Sequence, residues 1–358
     1  MLISKVTQTG FCGKIIDVHV HTGHWDKQCD GKPNGAEPYL VNDIFERADV
    51  VKRDGDIISK VIISNLDCIK EENGKPLMDE LEGNKKLLAD CKGNPRTAVL
   101  AVCQPKTGNV KNIETLFDRY PKGFVGLKFH PLTSGLDASD VKYVPYLKFA
   151  QKKNLPCLFH SQVNVDNNNG QLLNDNISVA DPVKIYQSAK KAPKAPVILG
   201  HMGAGWGQAH SKAVDILVES IEKGDANLYA DISWVDFKDP EKPNVISAIK
   251  RLMNTKKGDK TDRLLFGTDA PIAEYSADKD LYARVVRETK AAIRKNFGDK
   301  ADELIEKIFY KNADNLFFAQ KPVSKLKTGA VILGGLVVLG GVLWALKDKL
   351  SPVETKKG

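Results

Sequence analysis

The segment IIDVHVHTG, residues 15–23, reads as a short buried strand that carries chemistry. Apolar Ile and Val alternate with Asp17, His19 and His21, which places those three polar side chains on one strand face. Seven further apolar runs follow: Ile57–Ser64, Thr97–Cys103, Phe124–His130, Pro156–Ser161, Pro196–Gly200, Asn227–Ser233 and Leu264–Thr268. Amphipathic stretches separate most of them: Leu77–Cys91, Val144–Lys153, Pro182–Ala192, Ser211–Lys223, Pro243–Asn254 and Lys279–Asn296. Val-, Ile- and Leu-rich strands spaced by helices indicate parallel βαβ units. Eight of them over about 300 residues predict an α/β fold, a closed (β/α)8 TIM barrel. An open doubly wound sheet is the alternative on pattern alone.

The polar residues fall where a barrel puts its chemistry, at the C-terminal ends of the strands. His19 and His21 end the first run as an H-x-H pair. His130 ends the fourth, two residues after Lys128 and on the same face. His160 ends the fifth, His201 follows the sixth and Asp269 follows the eighth. Imidazole and carboxylate donors suit zinc and similar divalent ions. Such an ion brings the pKa of a bound water toward neutrality, and a neighbouring carboxylate can take the proton. Any one of these histidines alone reads as a satisfied core residue, and Asp269 alone as a turn cap. Their joint placement at successive strand ends carries the metal reading. Asp17 reads as an orienting group rather than a ligand.

The motifs IIDVHVHTG, GLKFHP, LFHSQ, ILGHMG and LLFGTDAP, in this order, resemble the amidohydrolase superfamily. The branch they are most similar to is the amidohydrolase-related one, which holds both hydrolases and metal-dependent decarboxylases; the resemblance covers roughly residues 14–318. It implies that His19, His21, His160 and Asp269 bind one divalent metal per chain, zinc by expectation. Asp269 doubles as the proton acceptor, and His201 polarises substrate or works as acid and base. Lys128 stands where some relatives carry a carbamylated lysine bridging two metals; it otherwise pairs with a substrate anion or a nearby acid. The role of His130 is not fixed by the resemblance. His24, Trp206, His210 and Trp234, and the loop Asn164–Asn176, lie near strand ends and are candidates for shaping a substrate pocket, or else plain solvated loop. The activity expected is hydrolysis of a small amide, lactone or ester. The alternatives are non-oxidative decarboxylation of a small acid, and a membrane-tethered barrel without turnover.

Composition adds bounds. The chain has 358 residues, 42% of them hydrophobic, enough for a substantial core. Its six cysteines show no C-x-x-C pair, which suits a reducing cytosol, and the N-terminus shows no signal-peptide pattern. Of the net charge of +8, the stretch from Phe318 onward supplies seven lysines against two acids. The barrel is therefore near neutral, and no nucleic-acid partner is expected. Taking 1–319 as the barrel, the sequence predicts a linker over 320–328, a transmembrane helix over 329–346 and a polar tail over 347–358. The run Gly329–Leu346 has 18 residues, no charge and flanking lysines, a length of about 27 Å if helical. A cytoplasmic barrel anchored to a membrane by this single pass is the expected arrangement. Small residues at 330, 334, 341 and 345 leave homo-oligomerisation open.

Overall fold

A computed structural model describes residues 13–24, 38–69, 71–72, 75–271, 278 and 280–319. The chain divides into two units, Met1–Ala319 and Gln320–Gly358; the first contains every described residue. Its eight barrel strands are β1 Lys14–Thr22, β2 Ile57–Asn65, β3 Thr97–Val102, β4 Gly126–Phe129, β5 Cys157–His160, β6 Pro196–Gly200, β7 Asn227–Asp231 and β8 Leu264–Leu265. They pair in chain order, and every described pairing is parallel. Eight helices follow them in turn: α1 Val41–Ala48, α2 Glu80–Asp90, α3 Val110–Arg119, α4 Val144–Lys153, α5 Pro182–Ala189, α6 Ala209–Lys223, α7 Pro243–Met253 and α8 Leu281–Phe297. The helix boundaries follow local chemistry. Asp79 caps α2 by accepting from the N–H groups of Leu81 and Glu82, and Asp181 caps α5 just before Pro182.

The last strand is shorter than its apolar run, because the chain bends away at Gly267–Asp269, where Asp269 has φ 62°. The barrel still closes on β1: Val18 N–H donates to Phe266 O, Asp269 N–H to His19 O, and His21 N–H to Ala270 O. Two apolar layers result. Ile16, Val18, Ile62, Ala98, Leu100, Leu158, Ile198 and Leu265 fill the barrel's lower interior, plugged by Ala313 and Leu316. A larger layer, including Ile15, Val20, Ile63, Leu127, Phe129, Phe159 and Leu199, lies between strands and helices.

β1 departs from strict alternation. A register irregularity between Asp17 and Val20 lets Asp17 reach α8 while His19 points inward, so the expected common face of Asp17 and His19 does not form. Bulges that re-aim one side chain beside a site are a known device.

The expected C-terminal transmembrane helix is corrected. Among the described residues no helix is long and apolar enough to cross a membrane, and residues 320–358, including the 329–346 stretch, lie outside them. The membrane partner and the membrane-anchored localisation fall with it. The expectation rested on length, absence of charge and flanking lysines, which speak to solvation and not to helix formation.

Candidate active site

The strand ends bring the histidines together. His19 is fully buried and contacted at both ring nitrogens. Its Nδ1 lies 3.0 Å from Asp231 Oδ2 and 3.2 Å from Ser233 Oγ. Its Nε2 lies 2.6 Å from Lys128 Nζ and 3.4 Å from Asp269 Oδ1. His21 repeats the pattern, with Nδ1 2.8 Å from Ser64 Oγ and Nε2 3.2 Å from Asp269 Oδ1. Donor atoms of His19, His21 and Asp269 thus lie within 4.8 Å of one another.

A second ring of residues fixes the first. Asp231 ends β7, accepts from the backbone N–H of His201 at 3.0 Å, and is held by the Ser233 hydroxyl. Ser233 Oγ also lies 2.8 Å from His201 Nδ1. His19, His201 and Asp231 form another tight trio, and the Ser233 hydroxyl contacts all three. His201 Nε2 lies 3.1 Å from His160 Nδ1, while His160 Nε2 is buried with no hydrogen-bond partner among the described residues. His160 stacks on His130 at 4.1 Å between ring centroids, and His130 Nδ1 accepts from Thr133 N–H. Asp17 accepts from Thr268 Oγ1 at 2.6 Å and from the Tyr282 hydroxyl at 2.7 Å. It ties β1 to the closing segment and to α8.

Three of these residues sit in the left-handed backbone region that side chains avoid: His201 at φ 58°, Trp234 at φ 63° and Asp269 at φ 62°. Strain of this kind persists where surrounding contacts impose it, and it gathers at functional sites. Burial sets the charge states. It holds His19, His21, His130 and His201 well below the ordinary imidazole value, with the Lys128 charge or neighbouring imidazoles adding to it, and brings His160 down to about 3. Neutral imidazoles are the form that binds metal. Burial also raises the Asp269 carboxyl, opposed by the Lys128 charge, and lowers the Lys128 amine, opposed by Asp269 and Asp231.

The remaining candidates divide. His24 is partly exposed and locked to Asp67 Oδ1 at 2.9 Å. Trp234 stands beside Asp269 and opposes the rise of its carboxyl. Trp206 is 46% exposed and packs beside Gly170. His210 is buried and bonded to Met202 O, a structural role. Sequence reasoning missed Asp231, Ser233 and Ser64. The first two had a signal: Asp231-Ile232-Ser233 ends the seventh run with two polar residues on alternate positions, as His19 and His21 do in the first.

The fit to a divalent ion rests on this geometry. Two imidazoles and a carboxylate converge, and the rear nitrogen of each ring is held by an oxygen partner, the arrangement that orients metal-ligating histidines.

The amidohydrolase family profile matches residues 16–319. No curated protein matches the chain significantly. Among solved structures, a Pseudomonas putida protein provisionally assigned as a 2-pyrone-4,6-dicarboxylic acid hydrolase aligns at 15% identity and a TM-score of 0.56, covering 86% of this chain and 98% of that one. IDCase from Metarhizium anisopliae aligns at 14% and 0.54, covering 85% and 97%. A 5-carboxyvanillate decarboxylase from Novosphingobium aromaticivorans, complexed with manganese, aligns at 15% and 0.50, covering 85% and 95%. At such identities these likenesses speak to the fold. The family match over nearly the whole barrel, on a scaffold that gathers its histidines at one mouth, carries the identification: the chain belongs to the amidohydrolase family and is an enzyme of the amidohydrolase type.

Proposed function

We propose that this chain hydrolyses a small amide, lactone or ester with one divalent metal ion, zinc by its donor set, held by His19, His21 and Asp269. The observation that carries the reading is the convergence of their donor atoms within 4.8 Å, with the ring nitrogens behind them occupied by Asp231 and Ser64. The ion, when bound, activates a water and polarises the substrate carbonyl. Asp269, ionised beside the bound ion, accepts the water's proton on its carboxylate. His201, fixed by Ser233 and by its own backbone bond to Asp231, is placed to polarise the substrate carbonyl, and the proton that Asp269 takes from water passes on to the leaving group. His160, through its unpartnered Nε2, is available as a further ligand or to the substrate. His130 backs His160 by stacking. Trp234 and His24 border the mouth as candidate pocket residues.

The same donors serve non-oxidative decarboxylation of a small acid. The buried Lys128 amine beside them, a ready partner for a substrate carboxylate, is the observation that favours this second reading.

Metal analysis of purified protein tests the first step. About one ion per chain is expected, and His19→Ala plus His21→Ala should abolish it while the fold persists by circular dichroism. Full occupancy in that double variant would refute the ligand assignment. Product analysis over a panel of esters, lactones and aromatic acids then separates hydrolysis from release of carbon dioxide. With any substrate so found, Asp269→Asn should lower turnover by orders of magnitude, since an amide cannot take the proton. Turnover at the wild-type rate would remove Asp269 from the chemistry.

A further inference from the structure

The donor cage is a cluster of acceptors. His19 Nδ1 faces the Asp231 carboxylate, so that nitrogen carries the ring proton and Nε2 keeps a bare lone pair. That Nε2 lies 3.4 Å from Asp269 Oδ1, itself an acceptor when ionised. His21 Nε2 meets the same oxygen at 3.2 Å. The bare lone pair of the fully buried His19 ring is unfavourable without a positive partner or a donor facing it. Lys128 supplies it. Its side chain is fully buried, enters from β4 and places Nζ 2.6 Å from His19 Nε2. No carboxylate pairs with Nζ within ion-pair distance among the described residues.

An imidazole nitrogen has one lone pair. It accepts from the lysine or it ligates an ion, and it cannot do both. A dication bound there would also meet the lysine's charge at close range. Taking the proposed metal site as its premise, we infer that Lys128 is a tethered competitor for the metal: it occupies the ligand cage while the ion is absent and must withdraw for the ion to bind. The lysine thereby holds the rings in place in the metal-free protein and sets how tightly the metal is held. Once displaced, its amine stands free at the edge of the site, where a substrate anion can take it up.

The test is the affinity for Zn2+ and Mn2+, measured by competition with a chromophoric chelator in full-length protein stripped of metal. Lys128→Met keeps an unbranched apolar stem one atom shorter and removes the donor. It should bind about tenfold more tightly or better, the scale of one charge-assisted hydrogen bond returned to the ion. Lys128→Leu gives the same reading if the Met variant does not fold, with circular dichroism as the check. Unchanged affinity would overturn the competition while leaving the metal site intact. Weaker binding in the variants, with wild-type affinity rising on added bicarbonate, would overturn it too, by making the lysine a carbamylated ligand. Absence of metal from the wild type and from both variants would overturn the metal reading and this inference with it. Metal in the variants alone would support the competition in its strongest form.

Discussion

His19 owes its orientation to Asp231. A neutral imidazole can present either nitrogen, and only an acceptor at Nδ1 commits the lone pair of Nε2 to the interior of the mouth. Asp231 also fixes Ser233 and the backbone of His201, so one carboxylate positions three members of the site. Asp231→Asn keeps the volume but loses the charge, and its amide can equally offer an N–H to the ring. The metal affinity of that variant should fall about 10- to 100-fold, the usual effect of losing a partner behind a ligand. Chelator competition measures it, and affinity equal to wild type would mean that Ser233 alone suffices. The candidate ligands stand out in the sequence because histidine is scarce and five of the seven fall at strand ends. Asp231 was not picked out because aspartate at a strand end is common, and its function depends on a residue 212 positions away in the chain.

Elements decide which residues meet. The inner face of β6 carries Gly200, opposite His19. A Cβ there would lie 2.7 Å from Phe159 O on β5 and 3.2 Å from His19 Cε1. The strand backbone must shift or the ring must move, since a backbone oxygen cannot yield as a side-chain tip can. Gly200→Ala should therefore destabilise the fold by about 1–3 kcal/mol, the usual cost of overpacking, and weaken metal binding in the same variant. Urea denaturation and chelator competition read the two effects; an unchanged midpoint would show that the sheet accommodates the methyl. Strand order and barrel closure were predictable from eight apolar runs separated by helices. The irregularity in β1 was not, because alternation is the default for a strand, and only packing against Thr268 and Tyr282 sends Asp17 outward. The uncharged run near the C-terminus shows the opposite failure: hydropathy was read as an element, although hydropathy alone does not form a helix.

Across the whole molecule the buried charges set a pH dependence with a definite sign. Burial holds six imidazoles, those of His19, His21, His130, His160, His201 and His210, below their ordinary value. In the unfolded chain these groups take up protons near pH 6.5. The native state resists doing so, in the case of His160 down to about pH 3. The unfolded state therefore binds more protons between these limits, and the stability these groups contribute is present above about pH 6.5 and lost as pH falls. Three buried carboxyls act the other way. Desolvation raises Asp17 to about 7 and raises Asp269 and Glu80 as well. They hold protons in the native state that the unfolded chain releases above about pH 4, so their contribution is fullest at acid pH and is lost as pH rises, for Asp17 through about 7. Six imidazoles outweigh three carboxyls between pH 5 and 6.5, so the metal-free protein should be less stable at pH 5 than at pH 7.5. Urea midpoints in the presence of chelator measure this directly. With metal bound the fall should be steeper, because protons then also compete with the ion for imidazole nitrogens. A midpoint that holds or rises at pH 5 would mean that the cluster already carries protons in the native state, and a cage of that kind would not bind a divalent cation.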